Sequence, residues 1–166
     1  MPDPSRHTST AQFLWNLEKI KGDKWLDFVK ALARQEPYLL ESMAPVPGAV
    51  VRGEVLLGIT YVQYVIQEKG PLGLVPLDKF LTDWNDLGLS AKAANPNAGK
   101  LYMDYALSPE AQKGIADTGE FVLSPGIYPN IKNADKVVAN IVFMDNPTPE
   151  HFKKLTSEFR EIFLTK

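Results

Sequence analysis

"NPNAGKLYMDYALSPEAQ", residues 95–112, holds two helix starts built in the same way. In each, a short polar residue able to accept a bond from free helical N–H groups, Asn95 or Ser108, is followed at once by proline, whose fixed φ suits the first helical position. The stretch therefore predicts one helix opening at Pro96 and a second opening at Pro109, with Gly119 closing the second. Leu101, Tyr102 and Tyr105 are expected to line the apolar side of the first. Thr148-Pro149 repeats the device, and Phe152, Leu155, Phe159, Ile162 and Phe163 behind it form the clearest amphipathic pattern in the chain.

Upstream, after the turn-rich "MPDPSRHTS", Ala11, Leu14, Leu17 and Ile20 recur at helical spacing until Gly22, predicting a helix over about residues 10–21. Trp25, Phe28, Val29 and Leu32 predict a second, capped by Asp23 and stopped before Pro37, so that the two form a compact pair. "YLLES" (38–42), "LGLVPL" (72–77) and residues 87–90 read as short strands. "PVPGAVVRGE" (45–54) reads as a helix start, and the β-branched run "VLLGITYV" (55–62) as a buried strand. "YVQYVIQEKG" (61–70) fits either a continuing strand or a short helix ended by Gly70. The expected fold class is α/β.

Composition narrows function. The 166 residues suffice for one domain or two small lobes, and 45% hydrophobic content supports a core. A net charge of -2 provides no field for nucleic-acid backbones, so no nucleic-acid partner is expected. The chain has no cysteine, which removes thiolate metal sites and cysteine nucleophiles and is neutral on compartment. Residues 1–15 lack a signal-peptide pattern, and no run approaches the roughly 18 apolar residues of a membrane span.

Catalytic and metal motifs are missing. His7 and His151 are far apart and belong to no ligand motif, and neither a nucleophile elbow nor a phosphate loop occurs, so no enzyme activity, metal or cofactor is expected. Three features could contact a ligand. "HTST" places Thr8, Ser9 and Thr10 where free N–H groups favour a polar or anionic group, although one hydroxyl could simply cap the helix. "VPGA" offers Pro47, Gly48 and Ala49, with Gly48 permitting close approach or merely a tight turn. Tyr61 and Tyr64 follow the apolar run and could stack on a ligand or pack.

The ordered series "DPSRHTSTAQFL" (3–14), "GAVVRGEVLLGITYV" (48–62), "AANPNAGKLYMDYALSPEAQ" (93–112) and "TGEFVLSPGIYP" (118–129) resembles the type II periplasmic solute-binding proteins of ABC importers. It looks most like their ferric-ion, 2-aminoethylphosphonate and polyamine branch. The resemblance implies two α/β lobes that close on a solute, a membrane permease as partner, and a periplasmic or extracellular location. Residues 1–75 and 131–166 would belong to lobe two, and residues 76–130 to the returning part of lobe one. Family members run to about twice this length, so the resemblance implies an N-terminally truncated form and a second copy or partner chain completing lobe one. Ligand positions carry over to Thr8, Ser9, Thr10, Pro47, Gly48, Ala49, Tyr61 and Tyr64. Ferric-ion binders use adjacent tyrosines, whereas Val62 and Gln63 separate this pair, so a small organic or oxyanionic solute is expected rather than iron. A scaffold that kept the fold but lost the ligand site is the alternative.

Overall fold

The computed structural model describes residues 1–165. It is a mixed α/β structure, mostly helical, with one small parallel sheet. In chain order come α1 (Thr8–Asn16), α2 (Glu18–Lys21), a 3-10 turn (Gly22–Lys24), α3 (Trp25–Ala33), α4 (Val46–Val51) and α5 (Val62–Gln67). Then follow β1 (Phe80–Thr82), α6 (Pro96–Ala106), α7 (Pro109–Asp117), α8 (Ala134–Ala139), β2 (Ile141–Phe143) and α9 (Pro149–Leu164).

The proline-led helix starts form where the sequence predicts them. Ser108 Oγ accepts from the Ala111 N–H at 3.2 Å, and Thr148 Oγ1 accepts from the His151 N–H at 3.2 Å, each satisfying one orphan donor. Asn95 stands at the N-cap of α6 without a side-chain bond, leaving the start of that helix to Pro96. After α7, Gly119 takes φ +102, and a Cβ there would lie 2.9 Å from Gln63 Cα, so glycine both ends the helix and admits α5.

The core joins the two ends of the chain. Leu14 and Leu17 of the first helical segment, Val29 of α3, and Leu155 and Phe159 of α9 are buried together. The expected helix pair thus exists, and its third wall is α9. The first segment is interrupted at Leu17, so the single helix expected over 10–21 is two short ones. Asp23 lies inside the 3-10 turn and does not cap α3, whose N-cap Lys24 makes no side-chain bond.

The strand predictions are where the structure departs most from the sequence. "VLLGITYV" forms no strand: Leu56 and Leu57 are 91% and 76% exposed, and its last residue opens α5. A β-branched apolar run favours extended backbone, but a strand exists only with a partner, and Gly58 lies against the Val46 side chain of α4 instead. Residues 72–77 and 87–90 are likewise unpaired, and "YLLES" contributes a single parallel bridge, Pro2 to Leu40. α5 ends at Gln67, with Glu68 as its extended C-cap, before Gly70. The sheet is built elsewhere, by β1 and β2 in the register Phe80 to Ile141, Leu81 to Val142 and Thr82 to Phe143. On α6, Leu101, Tyr102 and Tyr105 face outward, 71%, 61% and 52% exposed.

Candidate functional site

Residues 83–140 leave the rest of the chain at the end of β1 and return at β2, so the paired strands are a neck. Its ladder extends through Phe80 N–H to Asn140 O at 2.9 Å and Met144 N–H to Thr82 O at 2.8 Å. Two polar residues on the buried face of α1, Gln12 and Asn16, one turn apart, hold the exits of both strands. Gln12 Nε2 has three acceptors within reach: Asn146 Oδ1 at 2.7 Å, Asp83 Oδ2 at 3.1 Å and the Asp145 carbonyl at 3.3 Å. With two amide hydrogens it cannot serve all three fully at once, so the node has alternative pairings of similar geometry. Asn16 fixes Asp145 from both sides, donating to its carbonyl at 3.0 Å and accepting from its N–H at 2.7 Å. Lys19 adds an ion pair to Asp145 at 2.8 Å and a bond to the Phe143 carbonyl at 2.9 Å. A shallow cleft of about 220 Å³ opens here between Trp15, Asn16, Glu18, Lys19 and Asp145. Nothing in the sequence reading singled out Gln12 or Asn16, although two polar residues on a core-facing stripe were the available signal.

The eight sequence-predicted positions fall into two groups. His7, not a hydroxyl residue, occupies the N-cap of α1; Thr8 is exposed, Ser9 half-buried and Thr10 buried. Thr10 Oγ1 bonds His7 Nδ1 at 3.0 Å, and burial holds the His7 imidazole below its ordinary pKa. The turn before it is tied by Asp3 Oδ1, which accepts from the Ser5 N–H at 2.8 Å and the Ser5 hydroxyl at 2.7 Å. Pro47, Gly48 and Ala49 are buried in α4. What approaches Gly48 closely is the chain itself: a Cβ there would lie 3.0 Å from Arg52 Nη1 and 3.6 Å from Glu68 Oε2. Arg52 in turn pairs with Glu54 at 2.6 Å, and that hydrogen bond holds the Glu54 carboxyl below its ordinary pKa.

The Tyr61 and Tyr64 rings lie 6.2 Å apart, tilted by 42°. Helical spacing brings together what the sequence separates by two residues. Thr60 Oγ1 donates to the Met43 carbonyl at 2.8 Å, and with Gly58 packed on Val46 this sets the tyrosines beside the start of α4. Residues just before the tyrosines, Gly58 and Thr60, thus touch Val46 and Met43 at the start of α4, and among the described residues no hydrogen bond links Thr8, Ser9 or Thr10 to Pro47–Ala49 or to the tyrosines. The other side of α5 meets the segment after α7. Gln67 Nε2 donates to the Thr118 carbonyl at 2.9 Å, and Gln63, its amide turned so that nitrogen faces the carboxylate, donates to Glu120. Burial raises the Glu120 pKa. The tyrosine pair thus borders a contact between the segment before β1 and the excursion from the neck.

Among the described residues, no group of three or more histidine, cysteine or acidic side chains is placed to hold a metal, and no helix is long and apolar enough to cross a membrane. No curated protein and no solved structure matches the chain. The family model described as "Bacterial extracellular solute-binding protein" matches residues 1–119, from the turn before α1 to the glycine that ends α7. With well over half its length matched, including all three predicted ligand segments, the chain belongs to the bacterial extracellular solute-binding protein family.

Proposed function

We propose that this chain is the solute-capturing component of an ABC importer, acting in the periplasm or outside the cell and delivering its solute to a membrane permease. The observation that carries the reading is the family match across residues 1–119, and the neck at β1 and β2 supports it. A chain that leaves and returns through adjacent short strands has a natural hinge, because only two backbone crossings need to flex. In this reading residues 1–75 with 131–166 make one lobe, a type II-like one, and residues 76–130 belong to the other; the excursion that the neck delimits, 83–140, begins and ends several residues later and carries α8 with it. Closure is driven by the solute's preference for the closed arrangement, since a ligand shifts an equilibrium only by its differential affinity.

Pro47, Gly48, Ala49, Tyr61 and Tyr64 form the most coherent part of the proposed site, with Thr8, Ser9 and Thr10 as a second wall. Two phenol rings at the start of α5 suit a small organic or oxyanionic solute, which stacking and hydroxyl donation can hold together. The ferric-ion, aminophosphonate and polyamine branch remains the class in which the solute is sought. No step of this function needs bond chemistry, so the chain is read as a binding protein and not an enzyme. Two observations favour the alternative scaffold: Thr10 is spent on His7, and Arg52 lies close to Gly48.

Intrinsic fluorescence titration against small phosphonates, oxyanions, carboxylates, amino acids and polyamines tests the reading. Saturable binding by at least one class, weakened at least tenfold in Tyr64→Ala with unchanged circular dichroism, is expected. The absence of saturable binding across the panel contradicts it and favours the scaffold.

A further inference from the structure

Away from the neck, side-chain hydrogen bonds tie the excursion 83–140 to the rest of the chain at one place among the described residues. Gln63 and Gln67 stand one turn apart on α5, so both amides reach the same facing segment. Gln67 Nε2 donates to the Thr118 carbonyl at 2.9 Å, across 51 residues of sequence, and Gln63 donates to the Glu120 carboxylate. Between those two acceptors Gly119 takes φ +102. A Cβ there would lie 2.9 Å from Gln63 Cα, 3.2 Å from the Gln63 carbonyl oxygen and 3.2 Å from Ile66 Cβ. The first two are backbone atoms of α5 and cannot swing aside, so only glycine seats the segment this closely.

The contact is polar and separable. The hydrophobic cluster shared by the two chain ends includes no residue of 83–140. A neutral amide bond near the surface exchanges for a bond to water with little net change, so this contact can open while both sides stay folded. Two short strands at the neck leave only two backbone crossings to flex when it does.

We propose that Gln63, Gln67 and Gly119 form a latch that docks the excursion on α5 before any solute arrives, and that releasing the latch lets 83–140 swing about the neck. Gln63 lies in the turn between Tyr61 and Tyr64, so the docked state decides whether the tyrosine pair faces the excursion. A solute that touches both sides would meet a competent site only in the docked fraction of molecules, which scales its apparent affinity. The latch rests on reading the neck as a hinge, and it acts without any solute.

The absence of cysteine permits a clean test. Spin labels on Lys153→Cys in α9 and Glu110→Cys in α7, both exposed positions, report the separation of core and excursion by pulsed electron paramagnetic resonance in solute-free solution. With the latch intact, one narrow distance distribution is expected. Gln63→Ala with Gln67→Ala should add a second component and raise the undocked share at least about fivefold, the least that two lost net hydrogen bonds amount to. Gly119→Val should remove the docked component, and unchanged circular dichroism shows that the helices persist in each variant. Gln112→Ala, which removes an amide bond to Ala106 inside the excursion, should leave the distribution as it was. The double glutamine variant decides the matter: a distribution identical to that of the latch-intact chain, whether narrow or broad, would overturn the proposal. Solute binding is read separately by titration, so either result leaves that question open to its own test.

Discussion

At the scale of single residues, four side chains do more than their exposure suggests. Gln12 and Asn16 convert an apolar helix face into the clamp of the neck, and losing Gln12 leaves the Asn146 and Asp83 oxygens to find other partners. Gln12→Ala is expected to cost about 0.5–1.5 kcal/mol in urea unfolding, the usual net worth of a hydrogen bond, because Asp83 and Asn146 are exposed and water can replace the lost donor. Ser108→Ala should cost about 1 kcal/mol, because it removes the bond that Ala111 N–H makes at the start of α7. Glu120 has a pH signature. Its folded pKa is raised by burial above the ordinary 4.5, so between those two values the folded state binds more protons than the unfolded state, and stability falls as pH rises through that window. Glu120→Gln should flatten this fall and be the more stable protein at neutral pH, as followed by thermal melting from acid to neutral pH.

Elements differ in how legible they were. α6, α7 and α9 could be placed from sequence because a cap residue followed by proline fixes a start locally, with no tertiary partner required. Strands carry no such signal. β1 and β2 have three residues each, too few for any periodicity, and they find each other across about sixty residues. The run at 55–62 showed the opposite error, an intrinsic preference for extended backbone without a neighbour in this chain to pair with. The ligand segments were legible as places and not as an arrangement. Tyr61 and Tyr64 become adjacent only because α5 forms, and Thr10 turns inward because His7 takes the cap position. α9 closes the core against α1 and α3, so Phe159→Ala, which empties a fully buried position, should cost about 3–5 kcal/mol. Against a total stability of about 5–15 kcal/mol, that loss brings the fold near its threshold in a chemical denaturation series.

On the scale of the whole molecule, a neck of two three-residue strands joins the excursion 83–140 to a core made from both chain ends. The contact between α5 and the segment after α7 is the second place where these parts meet, and the tyrosine pair lies at its border. A solute held there would favour the arrangement in which both sides touch it. The most direct test of this account is thermal melting of the purified protein with each solute class at increasing concentration. A solute at one hundred times its Kd adds about 2.7 kcal/mol to the native state, which for a chain of this size raises Tm by roughly 5–11 °C. The account predicts such a concentration-dependent rise for one class of small organic or oxyanionic solute, lost in Tyr64→Ala; an unchanged Tm with every class would contradict it.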